Sequence, residues 1–314
     1  MTRFILASLM AGALALPALA ADYTILAPAA PGGGWDQTAR TMQEVLRSEG
    51  ISDSVQVQNV PGAGGTVGLA QFVASAAGDP SQLIVGGYVM VGAILTNGSP
   101  VGLDDVTPVA RLTGEYEAIV VPASSPIQTV GELVDQLKAD PGAVSWAGGS
   151  AGGTDHIAVG LLAKAAGVDP TKINYIAFSG GGEALAAILG SQVTAGVSGL
   201  SEFLPQVEAG TMRLLAVTAP ERLEGVDAPT LAEAGYDVVL QNWRMIAAAP
   251  GISDEQKAAI LADIEKMNAS EGWQKALASK GWANTWLAGD AFAEQLAKDR
   301  EATEGILREI GLVK

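Results

Sequence analysis

The chain has 314 residues, 48% of them apolar, with 18 Lys and Arg against 34 Asp and Glu, one histidine and no cysteine. A formal charge of −16 argues against nucleic acid or an anionic membrane as partner. The lack of cysteine excludes disulfides, thiolate metal sites, cysteine nucleophiles and a lipidated anchor.

The first twenty residues read as an export signal. Arg3 is the charged start, Phe4 to Leu16 is apolar, and Ala18-Leu19-Ala20 fits the small-x-small cleavage rule. The apolar run is too short to span a bilayer, and Pro17 interrupts its end. Cleavage after Ala20 removes Arg3 and no acid, leaving 17 basic residues against 34 acidic and a charge of −17. A free, monomeric periplasmic protein is the expectation. The mature chain is about twice the length of a typical domain, which predicts two domains.

Strand-like and helix-like runs then alternate nearly throughout, which predicts an α/β fold with mostly parallel sheets. Strands are expected at Thr24–Ala27, Val55–Asn59, Leu83–Gly87 and Ala118–Val121. More are expected at Val144–Trp146, Asn174–Ala177, Ala195–Ser198, Leu214–Val217 and Val238–Leu240. The helices begin at Asp36–Ser48, Thr66–Ala76, Thr129–Lys138 and Thr154–Ala166. They continue with Gly182–Leu189, Leu200–Ala209, Asp254–Asn268, Glu271–Lys280 and Gly289–Ile310. Turn chemistry at Pro122–Pro126 and Ala248–Gly251 brackets a segment with its own strand–loop–helix repeats. The expected division is residues 21–121 plus 246–314 as one lobe and 122–245 as an inserted second lobe, with a ligand cleft between them.

Two glycine-rich loops carry the chemistry of the N-terminal half. Pro31-Gly-Gly-Gly-Trp-Asp36 and Pro61-Gly-Ala-Gly-Gly-Thr66 each lie between a strand-like and a helix-like run. Such loops let backbone N–H groups approach a ligand, and the helix that follows adds unpaired donors and a positive dipole end. The phosphate forms do not fit. There is no GxxxxGK[ST], and Gly62-x-Gly64-x-x-Val67 lacks the last glycine of GxGxxG. A carboxylate is therefore the expected anion. Val144–His156 repeats the strand, glycine loop and polar helix start, so both lobes offer a glycine loop to the cleft.

Further motifs follow in order: Gly148-Gly-Ser-Ala-Gly-Gly-Thr-Asp-His156, Phe178-Ser-Gly-Gly-Gly-Glu-Ala-Leu185, Gly190-Ser-Gln-Val193 and Arg213-Leu-Leu-Ala-Val-Thr218. Pro229-Thr-Leu-Ala-Glu-Ala-Gly235 and Gln241-Asn-Trp-Arg244 complete the set. Together with the two N-terminal loops they resemble the solute receptors of tripartite tricarboxylate transporters, the Bug family, across essentially the whole mature chain. The resemblance implies a two-lobed, Venus-flytrap receptor. Such a receptor delivers a carboxylate to a permease of one large and one small subunit, driven by an ion gradient, with no cofactor. Ligands in the family include citrate, other di- and tricarboxylates, acidic amino acids and aromatic acids. Trp35 and Gln241–Arg244 look closer to the tricarboxylate branch.

By that resemblance the ligand carboxylate is held by Gly33, Gly34, Trp35 and Asp36 and by Ala63, Gly64 and Gly65, partly through ordered water. The second lobe adds Gly149, Ser150 and Thr154, then Ser179 and Gly180, with Ser198 at the end of its strand. Each has a competing structural role. Asp36 also suits a helix start paired i,i+4 with Arg40, and direct contact with an anionic ligand would be repulsive. Thr154 suits an N-cap. Tyr88 could reach the cleft or pack, and Trp35 could wall the cleft or join the core. His156, the lone histidine, is expected to be structural. Arg111, Lys164 and Arg244 are candidate cations for a second carboxylate.

Two other functions are open to the sequence. Gly148-Gly-Ser-Ala-Gly152 matches the nucleophile elbow of serine hydrolases. However, His156 follows Ser150 by only six residues, and no distant histidine completes a triad. The other is a receptor that presents its ligand to a membrane sensor. One histidine without cysteine, and no calcium-loop pattern, leaves no metal site in the expectation.

Overall fold

The computed structural model describes residues 22–314. The export signal and its cleavage after Ala20 lie outside the described residues. In chain order the first elements are β1 (Tyr23–Ala27), α1 (Gly34–Ser48), β2 (Val55–Asn59), α2 (Thr66–Ser75), β3 (Gln82–Gly87) and α3 (Tyr88–Asn97). Next come β4 (Thr107–Pro122), α4 (Val130–Ala139), β5 (Ser145–Gly148), α5 (Thr154–Ala165), β6 (Asn174–Ala177), α6 (Gly181–Leu189), β7 (Ala195–Gly199) and α7 (Leu200–Glu208). The chain closes with β8 (Met212–Val217), β9 (Gln241–Ala248), α8 (Asp254–Ala269), α9 (Glu271–Lys280), β10 (Ala283–Ala288) and α10 (Gly289–Glu309).

The strands form one curled sheet in the order β2-β1-β3-β9-β4-β7-β5-β6, with β8 and β10 also on β4. The outer pairs β1–β2, β1–β3, β5–β6 and β5–β7 are parallel, as their crossover helices require. The joins on β4 and β9 are antiparallel. β4 is the spine. Its Thr107–Tyr116 part pairs with β9, and its Glu117–Pro122 part pairs with β7 and β8. The sheet therefore changes lobes along a single strand. The main core is built from Leu83, Ile84, Val85, Leu112, Met245, Ile246 and Trp273. That core runs on into the second lobe through Leu133, Val134, Trp146 and Leu162, and a smaller cluster around Val120, Ile188, Phe203 and Val217 packs the side covered by α6 and α7.

Most expected elements are present within a residue or two. α3 and β10 were not expected. α3 reads Tyr-Val-Met-Val-Gly-Ala-Ile-Leu-Thr-Asn, apolar on nearly every face, so no helical polar stripe marks it. The strand expected at Val238–Leu240 starts three residues later. Two of its opening residues, Asn242 and Arg244, are polar because they turn to the cleft.

Apart from α10, which follows Ala288 without a side-chain cap, helix starts divide into two kinds. α4, α8 and α9, away from the cleft, are capped by Thr129, Ser253 and Ser270, each accepting a backbone N–H. By contrast α1, α2, α3, α5, α6 and α7 begin after glycine, with no side-chain cap. At these starts no N-cap side chain takes the first-turn donors, and partners for them come from elsewhere in the fold.

Candidate functional site

The uncapped helix starts converge. A cavity of about 60 Å³ lies between the lobes, lined by Gly33, Gly34, Trp35, Gly64 and Gly65 from one side. Gly149, Ser150, Ser179, Gly180 and Ser198 line it from the other. These are ten of the residues expected from the sequence. The lobes touch around the cavity. A Cβ on Gly64 would come within 3.3 Å of Ser150 Cβ, and one on Gly153 within 3.0 Å of Val89. The small volume and these contacts describe a closed cleft. Gly64 has φ +63°, a left-handed turn that glycine tolerates without Cβ strain.

Asp36, Ala63, Tyr88 and Thr154 stand outside the lining. Asp36 is 2% exposed and accepts from the Gly32 amide at 2.8 Å, from Asn59 at 2.8 Å and from Arg40 at 3.0 Å. Burial raises its pKa, but these donors together outweigh that and hold it below the usual value. Its role here is to brace the first glycine loop. Tyr88 packs edge-on to Trp243, 6.2 Å between ring centres. Thr154 is fully buried and its hydroxyl has no hydrogen-bond partner.

His156 is held by its surroundings. Its Nδ1 accepts from the Gly152 amide at 3.3 Å, and its ring lies parallel to Tyr175 at 4.1 Å. Burial pushes its pKa down to about 4. A buried imidazole with Nδ1 engaged in the loop is a bracing group for the Gly149–Gly153 turn.

The residues that the sequence reading missed are acids. Glu115, Glu117, Asp155 and Glu202 gather behind and beside the cavity, with Asp155 and Glu202 in its wall. Glu115 forms a buried ion pair with Arg244, and its other oxygen accepts from the Ser201 amide at 3.0 Å. Arg244 stacks 4.8 Å over Trp282 and lines the cavity. Asp155 accepts from the Gly149 amide at 2.6 Å. The Gly34 amide, at the start of α1, lies against Glu202 from the opposite lobe. Glu117 is fully buried and neither oxygen has a donor. One signal was legible: Glu115-Tyr-Glu117 puts two acids on one face of a strand just before its apolar Ala118–Val121 run.

Burial and crowding shift Glu117, Asp155 and Glu202. Burial, then Glu115, pushes Glu202 up to about 8 against the opposing pull of Arg244. Burial pushes Asp155 to about 6, and burial with Asp155 and Glu115 raises Glu117 well above the carboxylate range. A carboxyl whose folded pKa is raised contributes stability that is full below its unfolded value and lost as pH climbs through the folded one. For Asp155 and Glu202 that window runs from about 4 to about 8. His156 acts oppositely, losing stability as pH falls from about 6.5 to about 4. The thermal midpoint of the ligand-free protein should therefore fall between pH 6.5 and 8.5, and E202Q should flatten that slope. Equal slopes in both proteins would show that Glu202 does not carry the effect.

Two lobes joined by shared strands, closing on a cavity ringed by uncapped helix starts, define a periplasmic-type solute-binding protein. The comparisons place it more closely. Residues 38–312 match the family model described as the tripartite tricarboxylate transporter family receptor, and the chain belongs to that family. Protein BugT of Bordetella pertussis is 27% identical over 292 residues, 91% of this chain and 88% of that protein. In fold the chain is similar to MatC (Rpa3494) from Rhodopseudomonas palustris with bound malate. The TM-score is 0.79 at 24% identity, covering 91% of this chain and 98% of that one. It is also similar to Rpa4515 of R. palustris with adipate, with a TM-score of 0.81 at 22% identity, covering 92% and 97%. The family is one of receptors, not enzymes, so the nucleophile-elbow pattern at Ser150 is not the mark of a hydrolase here. Among the described residues no helix is long and apolar enough to cross a membrane.

Proposed function

We propose that this receptor works in the periplasm, captures a small carboxylate between its lobes and delivers it to an ion-gradient-driven tripartite permease. The observation that carries the reading is the set of glycine-started helices whose first-turn amides border the cavity beside Arg244. Amides and one guanidinium are donors suited to a carboxylate. In a closed, drier cleft they bind it more strongly than in water. The malate and adipate bound to structural relatives point the same way. Di- and tricarboxylates such as citrate remain the preference inferred from the sequence.

The site comprises the ten lining residues named above with Arg244 and Asn242. The moving units are residues 22–116 with 241–314 and residues 117–240, a few residues from the expected joins because Glu117–Pro122 pairs with β7 and β8 while β9 pairs with β3 and the first part of β4. They hinge where β4 passes between them, at Tyr116–Glu117. The receptor acts as a diffusing monomer toward one large and one small permease subunit.

A thermal-shift screen of the mature protein tests the ligand class. The panel holds citrate, isocitrate, malate, adipate, glutarate, glutamate, aspartate and aromatic acids. A ligand at about a hundred times its Kd contributes about 2.7 kcal/mol, which raises the midpoint by several degrees. A response to neutral sugars or amides and to no acid would remove the carboxylate reading.

A further inference from the structure

The cleft gathers more acidic than basic side chains. Arg244 is the one cation among the cavity-lining residues, and Glu115 already pairs with it. Beyond that pair stand Asp155 and Glu202 in the wall and Glu117 behind them. A simple polyanion entering here meets three further carboxyl groups. The same site also holds unused hydrogen-bonding capacity. Arg244, 1% exposed, has a free Nη1, and Asn242, 7% exposed, has a free Oδ1; both residues line the cavity. A free donor on one residue and a free acceptor on the other suit a ligand with both an acidic and a basic end.

We propose that the ligand is zwitterionic: its carboxylate takes Arg244 Nη1 and the loop amides, and a protonated amine or guanidine on the same molecule seats against Glu202 and Asn242. Asp155 and Glu117 stand behind that seat. The inference rests on the carboxylate reading above and adds a cationic group to it.

Two physical arguments support the placement. Buried acids of like charge are tolerated where they share protons or receive a counter-charge. Here the only counter-charge among the cavity-lining residues is committed to Glu115. The Gly34 amide, moreover, lies against Glu202, so the protein's own carboxylate occupies the donor at the start of α1. A bare acid would have to displace Glu202 from that donor. A ligand with an amine instead adds a partner to Glu202 and leaves it in place.

Proton linkage reads the difference directly. The charged groups facing Glu202 are Glu115 and Glu117 from β4, Asp155 from α5 and Arg244 from β9, with Tyr175 of β6 beside Asp155 and Glu117. Lys280 lies beyond, 5.2 Å from the Trp282 ring on which Arg244 stacks. A cation brought into this group favours the ionised acids and releases protons. An added anion favours the protonated acids and takes protons up.

Calorimetric titrations at pH 7.0 in phosphate and in Tris would compare matched acids. The pairs are 4-aminobutyrate with butyrate, L-glutamate with glutarate, and 4-guanidinobutyrate with butyrate. At least one amine- or guanidine-bearing acid should bind tenfold or more tightly than its partner, with proton release. E202Q should weaken that ligand at least tenfold and narrow the gap to the bare acid. Should E202Q fail to fold, the proton count on the wild-type protein decides alone. Tighter binding of the bare acid, with proton uptake, overturns the inference and leaves the carboxylate receptor intact. Equal binding of agmatine, which has no carboxylate, would instead sink the carboxylate reading and with it the zwitterion.

Discussion

Truncating Arg244 to alanine should both unsettle the fold and weaken ligand binding at least about tenfold, and a compensating pair should separate the two effects. Arg244 and Glu115 are 1% and 2% exposed, and each is the other's ion-pair partner. Removing the guanidinium leaves Glu115 buried beside three other acids and opens a void under Trp282. Breaking a buried pair from one side costs about 3–5 kcal/mol, on the order of 10 °C in thermal midpoint for a chain of this size. The double substitution R244M with E115Q removes both charges while keeping most of the volume, and it should recover most of that loss. It should not recover binding, because the donor beside the loop amides is gone. The expected loss is at least about tenfold, corresponding to one charged hydrogen bond of roughly 1.5–3 kcal/mol. Thermal midpoints and titrations on the three proteins check this. If the double variant binds as well as wild type, Arg244 is a structural counter-ion only.

Gly92→Val should hold the lobes apart. Gly92 lies on α3 in the first lobe, facing the Gly149–Gly153 turn of the second. A Cβ there would run into the Gly152 carbonyl oxygen. The position has no left-handed φ, and valine is a better helix former than glycine, so the open protein should keep its stability. A clash of about 3 kcal/mol, confined to the closed state, lowers the apparent affinity roughly a hundredfold by depopulating the closed state. Small-angle scattering should show the wild-type protein compacting when a ligand from the thermal screen is added, and the variant keeping its open radius. Compaction of the variant to the wild-type radius would place closure on other contacts.

These two residues mark how far the sequence could be read. The glycine loops were legible because glycine runs between a strand and a helix have few uses, and close backbone approach is one of them. Gly34, Gly64, Ser150 and Ser179 accordingly border the cavity. Asp36 was expected to hold either a ligand or its own helix start. The structure gives it to the loop through Gly32, Asn59 and Arg40, because a carboxylate beside three donors is satisfied where it stands. Gly92 carried no signal at all. Its importance comes from a turn sixty residues away that no local pattern names.

The acids behind the cleft show the same limit from the other side. Glu115, Asp155, Glu202 and Arg244 lie on β4, α5, α7 and β9, separated by up to 129 residues along the chain. Charged residues are usually solvated, so each one alone reads as surface. Only the fold of β4 through both lobes brings them within reach of one another.

The sequence by itself determined the alternation of strands and helices, the two-lobed class, the family and the amide-rich loops, because all of these follow from local periodicity, turn chemistry and ordered motifs. The tertiary structure decided the charge balance of the cleft, the pairing of Arg244 with Glu115 and the contacts that close the lobes. Those depend on distances between residues far apart in the chain, and on burial, which turns a solvated side chain into one that must find a partner.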